Sequence, residues 1–168
     1  MPSGDEKLKD DMPVFGIGPF YVGIITLTSF ILLVLDWLGF LPAVDPVPRA
    51  VCIAVALILI VLGAYMWYAA VFRDRVTDNI HGSTLVTTGI YAWVRNPIYS
   101  AFMFVNWGLL LLSGNLVLLI FIPVYWFLET VVVAETEELW LKQLHGDQYR
   151  EYCKKVNRCI PWFPGKGT

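Results

Sequence analysis

Residues that usually mark a catalytic or metal centre are scarce in this sequence. It has two histidines and three cysteines in 168 residues. His81 and His145 are isolated, so no metal site is expected. Cys52 falls inside an apolar run, while Cys153 and Cys159 lie near the C-terminal end. No CxxC pair or Cys/His spacing occurs, so neither a disulfide framework nor zinc is expected. A Gly-rich dinucleotide fingerprint is also missing, which leaves a Rossmann-type cofactor site unsupported. There is no internal repeat and no low-complexity segment. The net charge of −2 gives no footprint for nucleic acid.

Charge is the most telling shortage. Only 15% of residues are charged, against 57% hydrophobic. Residues 12–35, 50–72 and 97–128 contain no charged residue at all. A soluble bundle with three such runs would have no solvated face. About 20 apolar residues cross a bilayer core of roughly 30 Å. The first two runs fit one crossing each, over about 14–38 and 48–72. The third breaks at Ser113-Gly114-Asn115, a turn signal, and reads as a hairpin of about 97–113 and 115–134. The expected architecture is therefore an all-α polytopic membrane domain over 1–168 with about four transmembrane helices. Residues 1–12 form a polar tail. The first apolar run is too long for a signal-peptide core and follows a mixed-charge leader, so no cleaved signal is expected.

With four crossings, 11 of the 12 Lys and Arg residues share one side and Arg49 alone lies opposite. The positive-inside rule puts that side, and both termini, in the cytoplasm. Shortness and the lack of eukaryotic sorting signals point to a prokaryotic plasma membrane.

Two polar clusters break the apolar pattern, 84–99 and 129–138. Pro97 suits the first position of a helix, with Arg95 and Asn96 at its mouth. Glu129 sits at membrane depth, where a carboxylate faces the protein interior or water. Beyond Glu137-Glu138 comes an amphipathic stretch, 139–145. Gly146 stops it, and a short helix over about 147–156 follows, with Asp147 a possible cap. Ile160-Pro161-Trp162-Phe163-Pro164 reads as an interfacial anchor. The hairpin should bring the two clusters together. Free N–H groups at the helix start favour an anion, and a facing glutamate favours a cation or a sugar hydroxyl. Taken singly, Arg95 also suits a positive-inside anchor, the aromatics Tyr91, Trp93 and Tyr99 a membrane belt, and Glu137-Glu138 a solvated helix start. Spacing alone defines a ligand pocket and no more.

The stretch Thr84-Leu-Val-Thr-Thr-Gly-Ile-Tyr-Ala-Trp-Val-Arg-Asn-Pro-Ile-Tyr99 closely resembles the signature of the isoprenylcysteine carboxyl methyltransferase family, L-V-T-x-G-x-Y-x-x-x-R-H-P-x-Y. Glu137-Glu138, Gly146, Tyr149, Tyr152, Val156 and Ile160-Pro161 match its C-terminal part. The same signature marks a wider group that includes phospholipid N-methyltransferases. The resemblance covers about 84–161, and the first two helices carry no recognisable pattern.

The resemblance implies an integral membrane methyltransferase of short, prokaryotic type that uses S-adenosylmethionine and releases S-adenosylhomocysteine. It implies cofactor contacts at Thr84, Leu85, Val86, Tyr91, Asn96, Pro97, Ile98, Tyr99 and Glu137, and catalytic roles for Arg95, Asn96 and Glu137. The partner it implies is a lipophilic methyl acceptor among membrane lipids. Two departures stand out. The family histidine is Asn96 here, which hydrogen-bonds but does not titrate. An arginine that eukaryotic prenylcysteine enzymes carry four residues before the glutamate, associated with the substrate carboxylate, is Val133 here. A phospholipid or lipid-amine N-methyltransferase therefore remains open beside the carboxyl methyltransferase reading. From another class, a small transporter or scaffold using Glu129 also remains.

Overall fold

The computed structural model describes residues 17–44, 48–73 and 85–163. All regular structure among them is helical. Helix α1 spans Gly18–Trp37 and α2 spans Arg49–Tyr68, continued by one π-helical turn, Ala69–Arg73. A short 3-10 turn, Gly89–Ala92, precedes α3, Pro97–Ser113. Then come α4, Leu116–Leu119, α5, Phe121–Glu135, and α6, Glu137–Lys155.

The helices are apolar on the outside. On α1 the exposed stripe is Phe20, Ile24, Leu27 and Ile31, while Gly18, Tyr21, Ile25 and Ser29 face inward. Gly18 and Ser29 on the inner face and large apolar residues on the outer face fit packing within lipid. Three helices are long and apolar enough to cross a membrane, Gly18–Trp37, Arg49–Arg73 and Leu116–Glu135. The expected fourth, α3, is shorter, 17 residues or about 26 Å at 1.5 Å per residue. It is also the most enclosed, with nine buried residues.

Two glycines let α3 press against α2. A Cβ on Gly63 would lie 2.6 Å from the Ala101 carbonyl oxygen. One on Gly108 would lie 2.6 Å from Ile60 Cγ1 and 2.8 Å from the Ala56 carbonyl oxygen. Position 63 meets 101 while 56 and 60 meet 108, so the two helices run antiparallel.

The turn expected at 113–115 is present. Gly114 takes the left-handed conformation after α3, and the Asn115 side chain accepts from Val117 N–H to cap α4. The Asn115 amide also donates to Asp36 at 2.6 Å and to the Pro42 carbonyl at 3.0 Å, pinning this end to the α1–α2 loop. The second arm of the hairpin is not one continuous helix, because α4 and α5 part at Ile120. Pro123 has no N–H to give Leu119, and its ring crowds that carbonyl. Helix α6 kinks at Gly146, where φ is +53° and ψ is −124°, a backbone conformation that glycine alone reaches without strain. The stop expected at Gly146 is present: a second helical segment follows it, and the bend between the two turns Tyr149 and Tyr152 back into the protein.

Candidate functional site

The loop before α3 is held down from behind. Arg95 N–H donates to the Asn157 carbonyl at 2.9 Å and Asn96 N–H to the Arg158 carbonyl at 3.2 Å. Trp162 N–H donates to the Trp93 carbonyl at 3.0 Å, and the rings of Trp93 and Phe163 lie 5.8 Å apart. The Tyr152 hydroxyl donates to the Tyr91 carbonyl at 2.6 Å. Asn96 does not cap α3 with its side chain. Its amide donates to the Arg158 carbonyl at 3.1 Å instead, a bond that needs a donor and no titration. The chain after α6 thus lies along residues 93–96 and fixes the mouth of α3.

Successive residues on a helix point about 100° apart. Glu137 and Glu138 accordingly part company. The Tyr99 hydroxyl donates to Glu137 Oε1. Burial pushes the Glu137 carboxyl above the ordinary carboxylate range, and the Tyr99 bond works against that rise. Glu138 is 1% exposed. Arg158 grips it as a fork, Nε at 2.8 Å from Oε1 and Nη2 at 2.9 Å from Oε2. Arg95 Nη1 lies 3.0 Å from the same carboxylate and also contacts Cys153 Sγ, and Lys142 Nζ stands 3.9 Å away. The hydrogen bond to Glu138 raises the Arg158 pKa further. Three cations around one carboxylate leave this corner electropositive. Arg95 Nε is buried with no hydrogen-bond partner among the described residues.

Below this corner, Ser100 Oγ lies 3.1 Å from Glu129 Oε1 and 2.9 Å from the Asn96 carbonyl. Glu129 is fully buried, as its position in an apolar run implied. The Tyr21 ring sits 5.9 Å from that of Tyr99, and its hydroxyl donates to the Tyr125 carbonyl at 3.1 Å. A Cβ at Gly18 would come within 2.7 Å of the Tyr99 hydroxyl oxygen, so glycine leaves the space that this hydroxyl fills.

The expected site residues gather as the hairpin reading required. Tyr99 meets Glu137, and Arg95 meets Glu138. Tyr91 and Pro97 are buried and Ile98 half-buried beside them. Leu85 packs on Tyr149, Tyr152 and Val156, with Val86 half-buried next to it. Thr84 lies outside the described residues. Sequence reasoning missed Arg158, Ser100 and Tyr21. Arg158 sat in a basic tail with no sign of a partner, and Tyr21 in a helix without a motif. Ser100, one turn from Asn96, was the findable one.

The geometry can be set beside known proteins. A family model described as phospholipid methyltransferase matches residues 50–148. The Schizosaccharomyces pombe protein-S-isoprenylcysteine O-methyltransferase is 43% identical over 81 residues, 48% of this chain and 34% of that protein. Its Saccharomyces cerevisiae counterpart is 34% identical over 124 residues, 67% of this chain and 50% of that protein. Methanethiol S-methyltransferase 1 of Bradyrhizobium diazoefficiens is 34% identical over 94 residues, 52% and 32% of the two chains. The chain spans half or less of the length of these relatives. No solved structure matches it.

Proposed function

The chain belongs to the phospholipid methyltransferase family, and from that premise we propose that it transfers a methyl group from S-adenosylmethionine to a lipophilic acceptor at the membrane. The observation that carries the reading is the contact between Tyr99 and Glu137. It joins the two halves of the motif, 84–99 and 137–161, at one helix mouth, at the charged end of an otherwise apolar molecule.

The residues present fit such a donor. Glu137 is a half-buried carboxylate suited to ribose hydroxyls or an ammonium group. Tyr91 and Tyr99 give ring faces and one hydroxyl. Arg95, in the electropositive corner around Glu138, suits a carboxylate. The start of α3 adds backbone N–H groups and the positive end of its dipole. When bound, S-adenosylmethionine supplies a methyl group already made electrophilic by its sulfonium. What remains for this chain is orientation and exclusion of water. The Glu138–Arg158 fork holds the chain after α6 against the mouth of α3, and Asn96 fastens that strap without needing to titrate. The positive-inside rule favours a cytoplasmic face for the charged end, from which the polar donor enters, while the acceptor arrives through the lipid. Family membership removes the ground for the transporter or scaffold reading.

Calorimetric titration of S-adenosylhomocysteine into the folded, detergent-solubilised protein tests this. Binding is expected, with loss on Glu137→Gln. Absence of binding to the wild-type chain would overturn the reading.

A further inference from the structure

The end of the molecule away from the Tyr99–Glu137 contact holds a cleft of about 310 Å³. It lies between the end of α1, the start of α2 and the end of α3. Leu33, Leu109 and Leu112 line it, and Asp36 and Arg49 bring opposite charges to it. These two side chains are engaged elsewhere rather than with each other. Asp36 Oδ1 accepts from the Asn115 amide at 2.6 Å. The Arg49 stem lies along the turn after α3, its Cγ 4.0 Å from where a Cβ on Gly114 would sit. A carboxylate has room for further donors after one such bond, and a guanidinium carries a planar fork of them.

Helix length sets the level of this cleft in the membrane. The 20 residues of α1 rise about 30 Å, the thickness of a hydrocarbon core. Trp37 ends that helix, lines the cleft and is largely exposed, as an aromatic at a headgroup boundary is. Phe30, Leu33 and Trp37 follow one another at spacings of three and four on one face of α1, and Phe30 is exposed. They form an apolar lane from the cleft toward the bilayer centre. The cleft is at the small end of ligand pockets, so it suits a headgroup and leaves acyl chains to the lane. Helix dipoles reinforce the division of charge: the start of α2 is partially positive beside Arg49, and the end of α1 partially negative beside Asp36.

We propose that this cleft holds one zwitterionic phospholipid of the far leaflet, its phosphate on Arg49 and its primary ammonium on Asp36. Arginine matches a phosphate with two parallel hydrogen bonds. A primary ammonium donates N–H bonds to a carboxylate, which a quaternary one has none to give. A headgroup of net negative charge would set its surplus against Asp36. This lipid is a structural ligand that braces three helix ends, not a methyl acceptor. Tyr99 lies in the first turn of α3 and Ser113 ends that helix, about 21 Å apart at 1.5 Å per residue. The proposal is independent of the methyl-transfer reading.

Native mass spectrometry of the full chain in detergent tests it, without S-adenosylmethionine. The protein is offered equal amounts of phosphatidylethanolamine, phosphatidylcholine and phosphatidylglycerol with the same acyl chains. One phosphatidylethanolamine should be retained in preference to the other two. Arg49→Gln should weaken retention of all three about fivefold, the scale of one cation beside a lipid surface. Asp36→Asn should instead remove the preference, bringing phosphatidylethanolamine down to the level of phosphatidylglycerol. The asparagine still accepts from Asn115, so this arm decides even where Arg49→Gln fails to fold. Glu137→Gln, at the opposite end, should bind as the wild type does. Deacylated glycerophosphoethanolamine at the same concentration should not displace the lipid. Equal retention of phosphatidylglycerol by the wild type, or a preference that survives Asp36→Asn, would overturn the proposal. So would unchanged retention in folded Arg49→Gln, loss in Glu137→Gln, or displacement by the deacylated headgroup.

Discussion

Two adjacent glutamates differ in the partners that hold them, Tyr99 for Glu137 and two arginines for Glu138. Glu138 is buried and shared by Arg95 and Arg158, so Glu138→Gln leaves two guanidinium groups without their counter-charge. Removing one partner of a buried ion pair costs about 3–5 kcal/mol, and the partial exposure of Arg158 places the loss toward the lower end. Chemical unfolding in detergent should show it. Glu137 behaves differently, because its partner is a neutral tyrosine. The ionised carboxylate is the form that holds an ammonium group or ribose hydroxyls. Burial lifts its pKa and the Tyr99 hydrogen bond lowers it. Affinity for S-adenosylhomocysteine should therefore fall as pH drops, with a midpoint above the ordinary carboxylate range. Tyr99→Phe removes the lowering bond and should move that midpoint higher still. Calorimetric titrations across a pH series check both, and a midpoint unmoved or lowered in Tyr99→Phe would contradict the assignment.

Among the elements, the α2–α3 pair is the least tolerant. Within lipid, helices associate by close packing rather than by escape from water. Gly63→Ala and Gly108→Ala would each drive a methyl group against a backbone carbonyl of the facing helix, at 2.6 and 2.8 Å. Overpacking of this kind costs typically about 1–3 kcal/mol. Gly23→Ala has nothing within 4 Å and serves as the neutral control. Unfolding midpoints of the three variants in one detergent separate a packing effect from helix propensity. The elements themselves were largely readable from sequence. Charge-free runs, Pro97 and the Ser113-Gly114-Asn115 turn placed α3 at 97–113, as found. The break at Ile120 was signalled by Pro123 but lay hidden inside an unbroken apolar run. Glu129 announced itself as a charge where none belongs. Arg158 did not, because a long-range ion pair leaves no period or spacing in the chain. The pairing of 157–162 with 93–96 was equally silent, since backbone hydrogen bonds are blind to side-chain identity.

At the scale of the whole molecule, polarity runs along the axis of the bundle. Arg73, Arg95, Lys142 and Arg158 gather at the end where α3 begins, while Arg49 and Asp36 stand at the other. That far end is tied together by its own bonds, Asn115 to Asp36 and Leu116 N–H to the Val44 carbonyl at 2.8 Å. From this charge asymmetry among the described residues and the positive-inside rule, we propose that the site end faces the cytoplasm. Two exposed positions report the orientation, Phe40 at the far end and Lys154 on α6. Of the native cysteines, Cys52 and Cys159 are buried and Cys153 is half-buried against Arg95. The wild-type chain therefore provides the background signal. With a membrane-impermeant maleimide on intact cells, Phe40→Cys should react above that background and Lys154→Cys should not. Permeabilisation should expose Lys154→Cys. The reverse pattern would place the donor site outside the cytoplasm and separate it from the compartment that makes S-adenosylmethionine, which the proposed reaction does not survive.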